Sequence, residues 1–217
     1  MNKEWYIELS GLSVPVKETF HNFNPNLHVH EKDRKTTNIA KEMTLNWCNS
    51  LDISTPFLCL FGSYGVGKSH LLKASADLLA EILSSRGIGR FRYIDNYEFQ
   101  KAMFNFDKPK NSEEFNNKEM LRDLCEVQYL IFDEVGFWYE SKTKKPYLNE
   151  KLDEILCHRA NKRMRTLIGG NVRPNSSLFT PTFKSRMNDE TLVQKVNLWG
   201  ISDFRKLKIN STYEQED

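Results

Sequence analysis

Gly62-Ser63-Tyr64-Gly65-Val66-Gly67-Lys68-Ser69 fits the pattern G-x-x-x-x-G-K-[ST] at every fixed position. Before it lies Phe57-Leu58-Cys59-Leu60-Phe61, an unbroken apolar run of strand length. After it comes a helical pattern from Lys68 to about Ser85, in which Leu71, Leu72, Leu78, Leu79, Ile82 and Leu83 recur at helical spacing. Gly87 stands just past its end. Strand, glycine turn and helix in that order make a phosphate-binding loop. The glycines let the chain curl until successive N–H groups face one anion, and the helix turns its positive end on the same point. Lys68 is placed to reach the outer phosphates of ATP, and the Ser69 hydroxyl to ligate Mg²⁺.

A phosphate loop becomes a hydrolytic site when a second buried strand ends in acid. Tyr129-Leu130-Ile131-Phe132 leads into Asp133-Glu134. Asp133 can order the Mg²⁺ shell, and Glu134 can polarise an attacking water. Around these two strands the chain alternates. Phe91-Arg92-Tyr93-Ile94 is a strand, with Asn96 available to cap the helix after it. Residues 105–118 are polar and read as a loop, and helical character resumes from Met120 to Glu126. Pro146 opens a further helix carrying Leu148, Leu152, Ile155 and Leu156. Thr166-Leu167-Ile168 and Val193 to Trp199 supply the remaining strands. Strands separated by helices imply an α/β fold with a five-stranded parallel sheet and helices on its flanks.

Composition narrows the function classes. The 217 residues are 39% hydrophobic and 28% charged, as a packed globule requires. The five-residue apolar run ending at Phe61 is far short of the roughly 20 residues of a membrane span. Met1-Asn2-Lys3-Glu4-Trp5 lacks a secretory h-region. The net charge of +2 confines any nucleic-acid binding to local patches. Cys48, Cys59, Cys125 and Cys157 are spaced as neither a zinc nor a redox pair, which suits reduced thiols in the cytoplasm. His28-Val29-His30 has no third ligand nearby and reads as surface histidine.

With these residues in place the chain resembles an AAA+ P-loop ATPase, and more narrowly the DnaC/IstB group of helicase loaders and transposition ATPases. The likeness spans residues 18–209. It is carried by Phe20-His21-Asn22-Phe23-Asn24 and Trp47, the phosphate loop with His70-Leu71 after it, and Phe132-Asp133-Glu134-Val135-Gly136. Arg165-Thr166-Leu167-Ile168-Gly169-Gly170-Asn171 and Phe183-Lys184-Ser185-Arg186-Met187 continue it in the same order. The resemblance implies that Asn171 is a polar sensor between the acidic pair and the γ-phosphate. It makes Arg186 an arginine finger acting on a neighbouring subunit's ATP, and Arg205, in Ser202-Asp203-Phe204-Arg205, a terminal sensor. His70 joins the nucleotide-binding set. The 31 residues after Arg186 are too few for a four-helix lid and a last strand, as in the lid-less loaders. Residues 1–17 form a short segment whose Trp5, Tyr6, Ile7, Leu9 and Leu12 either dock a partner or cover a core edge. Residues 210–217 are a polar, acidic tail.

Three basic clusters are candidates for DNA. Lys101, Phe104, Lys108 and Lys110 interleave cations with aromatics, the composition a single strand prefers. Lys142, Lys144 and Lys145 follow the acidic strand, and Arg159, Lys162, Arg163 and Arg165 form the third cluster. The leading expectation is a homo-oligomeric, ATP-dependent loader that acts on single-stranded DNA and a hexameric replicative helicase. A transposition ATPase on duplex DNA and an ATP-sensing regulatory module are the alternatives.

Overall fold

Apolar runs and helical apolar spacing alternate along the chain, and the backbone follows them. The computed structural model describes residues 2–50, 54–104, 112–136, 146–173, 175–177 and 179–207. Within them the order is α1 (Lys3–Ser10), α2 (Glu31–Asn49), β1 (Phe57–Gly62), α3 (Lys68–Arg86), β2 (Phe91–Ile94), α4 (Asn96–Phe104) and α5 (Ser112–Glu126). Then come β3 (Tyr129–Val135), α6 (Pro146–Asn161), β4 (Arg165–Gly170), α7 (Pro181–Met187) and β5 (Val193–Leu198). The strands make one parallel sheet in the order β2-β3-β4-β1-β5. β4 therefore lies between β1, which ends in the phosphate loop, and β3, which carries the acidic pair. Among the described residues no helical lid follows α7, and no helix is long and apolar enough to cross a membrane.

Alternate strand residues feed two cores, because successive side chains of a strand point to opposite faces. Leu58, Leu60, Ile131, Leu167 and Leu198 pack under α2 and α3 with Trp47, Leu71, Leu72 and Leu79. Phe57, Cys59, Phe61, Phe132 and Ile168 pack on the other face with Phe99, Leu152, Ile155 and Phe183. In α1, Tyr6 and Ile7 are buried in the first of these cores while Trp5 and Leu9 stay 41% and 40% exposed. Lys3 ties the helix to Asp77 of α3 at 2.7 Å.

Local details depart from the sequence reading. α5 starts at Ser112, eight residues before Met120, inside the stretch read as loop. Polarity misleads there: all residues from Ser112 to Glu119 except Phe115 are polar or charged, without regular apolar spacing, and clear helical periodicity starts only at Met120. The cap of α4 is Asp95, whose Oδ1 accepts the Glu98 N–H at 2.9 Å; Asn96 is already helical. The third basic cluster is not one surface patch: two of its four cations are buried and the other two are held by internal partners. Arg159 is fully buried and Arg165 is 6% exposed. Arg165 donates to the Ser50 and Trp47 carbonyls. Arg163 donates to the Ser54 and Thr191 carbonyls, and Lys162 pairs with Glu126.

Arg159 joins three elements. Its guanidinium donates to Thr166 Oγ1 (2.9 Å) and to the carbonyls of Leu124 (3.0 Å), Val127 (2.9 Å) and Arg165 (2.7 Å), so α6, the end of α5 and β4 share one donor fork. Burial lowers its pKa to about 10. Removing it orphans several buried carbonyls at once. Arg159→Ala should lose about 3–5 kcal/mol in urea unfolding, and Arg159→Lys less, since an ammonium cannot span the same acceptors.

Candidate functional site

The ends of β1, β3 and β4 converge on a cavity of about 400 Å³. Gly65 (φ 72°) and Gly67 (φ 89°) of the loop occupy the left-handed region, where a side chain is strained. Both are also covered by distant segments. A Cβ on Gly65 would strike the Asp203 carboxylate, and one on Gly67 would stand 2.6 Å from the Phe23 ring. α3 begins directly after Gly67, and no side chain caps it. Its first N–H groups are thus left for an anion.

Lys68 is 7% exposed, and its Nζ donates to the carbonyls of Gly62 (2.8 Å) and Ser63 (2.6 Å). Burial pushes its pKa down to about 8, against the opposing pull of Asp133 and Glu134. Asp133 is 3% exposed. One carboxylate oxygen accepts the Tyr93 hydroxyl and the other the Glu134 N–H, each at 2.8 Å, and Ser69 also hydrogen-bonds to it. Burial raises its pKa; these donors and Lys68 offset part of the rise. Glu134 has φ 55° and sits where the β3–β4 register shifts. Such an outlier costs about 1–3 kcal/mol and aims the side chain away from the pleat. Burial of its surroundings, then Asp133 and Asp95, push the Glu134 pKa up, which favours proton acceptance near neutral pH.

Asn171 follows β4 and lines the same cavity, with its side-chain oxygen buried and unpartnered. Tyr64, His70 and Arg205 line it too. His70 Nε2 donates to the Thr19 carbonyl at 3.0 Å. Arg205 forms a two-pronged pair with Asp203, with contacts of 3.0 and 2.9 Å. Arg186 is not among the lining residues. It lies on α7 and donates to Asn161 Oδ1 at 2.8 Å. Lys101 is exposed at the end of α4, and Phe104 closes that helix. Lys108, Lys110, Lys142, Lys144 and Lys145 lie outside the described residues.

An apolar wall of the cavity had no role in the sequence reading, although Phe23 and Phe204 lie in stretches that carry the resemblance. Phe23, Leu27 and Phe204 line it beside Asn22 and Asn24. Phe23 packs against His70 (5.2 Å between ring centres) and Phe204 (5.4 Å). His28 is 1% exposed, not a surface histidine, and packs 4.1 Å from the Phe204 ring. Burial lowers its pKa. Asp33 on α2 holds the same segment, accepting the Ser202 N–H (3.1 Å) and hydroxyl (2.8 Å). Tyr93, which orients Asp133, was also missed; only its place on a buried strand beside β3 could have marked it.

The hydroxyl of Ser69 beside the Asp133 carboxylate is an oxygen-only donor set of the kind Mg²⁺ takes in nucleotide sites, where phosphates and water complete the shell. The ion would there neutralise phosphate charge. Parallel sheet, phosphate loop and acidic strand end together define an AAA+ P-loop protein. More narrowly, the chain belongs to the bacterial DnaA ATPase domain family, which matches residues 17–190.

Among curated proteins it is 26% identical, over 64% of its length, to the replicative helicase loader DnaC of Buchnera aphidicola subsp. Baizongia pistaciae. The match spans 52% of that relative, so the chain corresponds to about half of it. Among solved structures it superposes on the replication initiator DnaA bound to AMPPCP and single-stranded DNA with a TM-score of 0.63. That match has 20% identity and covers 92% of this chain and 55% of the other. For the DnaC helicase loader the TM-score is 0.58 at 18% identity, over 86% and 99% of the two chains.

The Lys68 shift sets a pH dependence. Below its pKa of about 8 the ammonium is charged and ready for phosphate; above it the free protein holds the neutral amine. Bound phosphate favours the charged form, so binding takes up a proton at higher pH. Affinity for a fluorescent ATP analogue should be flat near pH 7 and fall up to about tenfold per unit above pH 8.

Proposed function

We propose that this chain is an ATP-hydrolysing helicase loader that assembles into oligomers on single-stranded DNA and delivers or remodels a hexameric replicative helicase in the cytoplasm. The observation that carries this reading is the convergence of Lys68, Ser69, Asp133, Glu134 and Asn171 on one cavity at the ends of three adjacent strands. In it the loop and Lys68 bind the β- and γ-phosphates, Ser69 and Asp133 hold Mg²⁺, Glu134 accepts a proton from the attacking water, and Asn171 orients that water. Phe23, Leu27 and Phe204 receive the base, and Arg205 exchanges Asp203 for a phosphate oxygen. The helicase as partner is supported by the DnaC relatives, and single-stranded DNA by the DnaA complex. Lys101 and Phe104, with Lys108 and Lys110, contact the strand; Lys142, Lys144 and Lys145 add charge. Residues 1–17 precede the ATPase core of 18–209.

Arg186 lies off the cavity of its own subunit, which suits a finger serving a neighbour. Lys68→Ala and Arg186→Ala proteins should each be nearly inactive as ATPases, and mixing them should restore part of the phosphate release. Confirmed mixed oligomers without recovery would refute a finger acting in trans.

The loader reading itself is tested by mass measurement with ATP, single-stranded DNA and the replicative helicase of the same cell. The wild-type protein should form a transient complex. Glu134→Gln, which keeps the phosphate cradle but loses the base, should form a lasting one. A preference for duplex DNA without helicase binding would instead favour the transposition reading.

A further inference from the structure

A second cavity, of about 420 Å³, opens at the carboxyl ends of β1 and β5 on the α7 side of the sheet and shares no lining residue with the nucleotide cavity. Its origin is the shortness of α7. Val193, Lys195 and Asn197 alternate onto one face of β5, and only Val193 is buried there. Beyond the reach of α7, strand positions that would otherwise be apolar carry Lys195 and Asn197. Arg173, just after β4, and Lys184 of α7 close the ring.

The chemistry of this lining is one-sided. Arg173, Lys184 and Lys195 line it together with Asn175, Asn188 and Asn197, and no carboxylate does. None of the three cations has a hydrogen-bond or ion-pair partner among the described residues. Trp199 adds an indole Nε1 that is buried and unpartnered. The Arg173 guanidinium lies over the Trp199 ring at 5.2 Å, giving a flat cationic surface. Like charges gathered in a concave wall repel one another, so the arrangement gains stability when an anion enters. A ligand rich in acceptors, carrying spaced negative charges and a planar group, matches it: cations for phosphate oxygens, the Arg173–Trp199 stack for a base.

We propose that this cavity is a phosphodiester-binding site for a short stretch of single-stranded nucleic acid. It stands apart from the basic and aromatic residues around Lys101. Those follow β2, at the opposite edge of the sheet from β5. Because it shares no lining residue with the nucleotide cavity, the strand is expected to bind here with or without ATP.

The test uses the full chain without nucleotide and a fluorescent oligothymidylate, titrated at several salt concentrations. The Lys184→Gln/Lys195→Gln double variant should bind about tenfold more weakly. Its salt slope should be flatter by about 1.4, for two phosphate contacts at roughly 0.7 each. Trp199→Phe, which removes only the indole donor and some ring area, should weaken binding less and leave the slope unchanged. Lys32→Ala, which removes an exposed charge on α2 outside both cavities, should behave as wild type in this assay. Circular dichroism of each variant confirms that these exposed or half-buried changes leave the fold intact. The proposal is overturned if the double variant keeps wild-type affinity and slope, if the wild-type chain binds no oligonucleotide, or if Lys32→Ala weakens and flattens binding as much as the double variant does. It is also overturned if a polyglutamate peptide displaces the oligonucleotide at equal charge concentration, which would assign the cavity to an acidic protein partner.

Discussion

The first turn of α3 must keep its N–H groups unsatisfied, and the rest of the site is arranged around that requirement. A helix start without a capping side chain is unfavourable until an anion arrives. The fold carries this deficit by locking the loop elsewhere. β1 is buried along its whole length between β4 and β5, and Leu71 and Leu72 anchor the helix in the core. Lys68, buried with its charge, borrows two loop carbonyls in place of phosphate oxygens. The site is thus preorganised, and binding exchanges weak internal partners for strong external ones.

Two segments from opposite ends of the chain complete the enclosure. Phe23 closes on Gly67 from the N-terminal side, and Asp203 covers Gly65 from the C-terminal side, where the Phe204 N–H also donates to the Gly65 carbonyl at 2.9 Å. Asp33 of α2 fastens the later segment through Ser202, and the Phe23, His28 and Phe204 rings pack between them. A nucleotide that touches this wall therefore touches both ends of the chain at once. Movement there would be felt at α2, through Ser202 and Asp33, and at Arg205, through Asp203.

The sheet order does the remaining placement. Because β4 runs between β1 and β3, Asn171 emerges between the phosphate loop and the acidic pair, with an orphaned oxygen facing the space they enclose. Asp133 is held by Tyr93 from β2, the next strand out. The left-handed backbone at Glu134 breaks the alternation of β3 and lets two neighbouring acids serve one site. A common fold at about one identical residue in five is what this chain shares with the DnaA and DnaC structures.

Local chemistry was legible from residues alone. A G-x-x-x-x-G-K-[ST] loop has a recognisable geometry because its left-handed positions call for glycine, and an acid pair after four apolar residues, beside such a loop, reads as a strand end. The parallel sheet followed from alternation, since parallel neighbours need crossovers. Where polarity was the sole guide the reading failed: the start of α5 resembled a loop, and Arg159 and Arg165 resembled surface charge. Their positions depend on carbonyls supplied by other elements, and no periodicity reports those. The same reason hid Phe23, Tyr93, Asp203 and Phe204. Each acts through a partner far away in sequence, and a contact between distant segments exists only once the whole chain has packed. The sequence alone determined the phosphate chemistry and the class of fold. Tertiary packing decided which aromatic and charged groups surround that chemistry, because burial and pairing belong to the assembled sheet and not to any single stretch of chain.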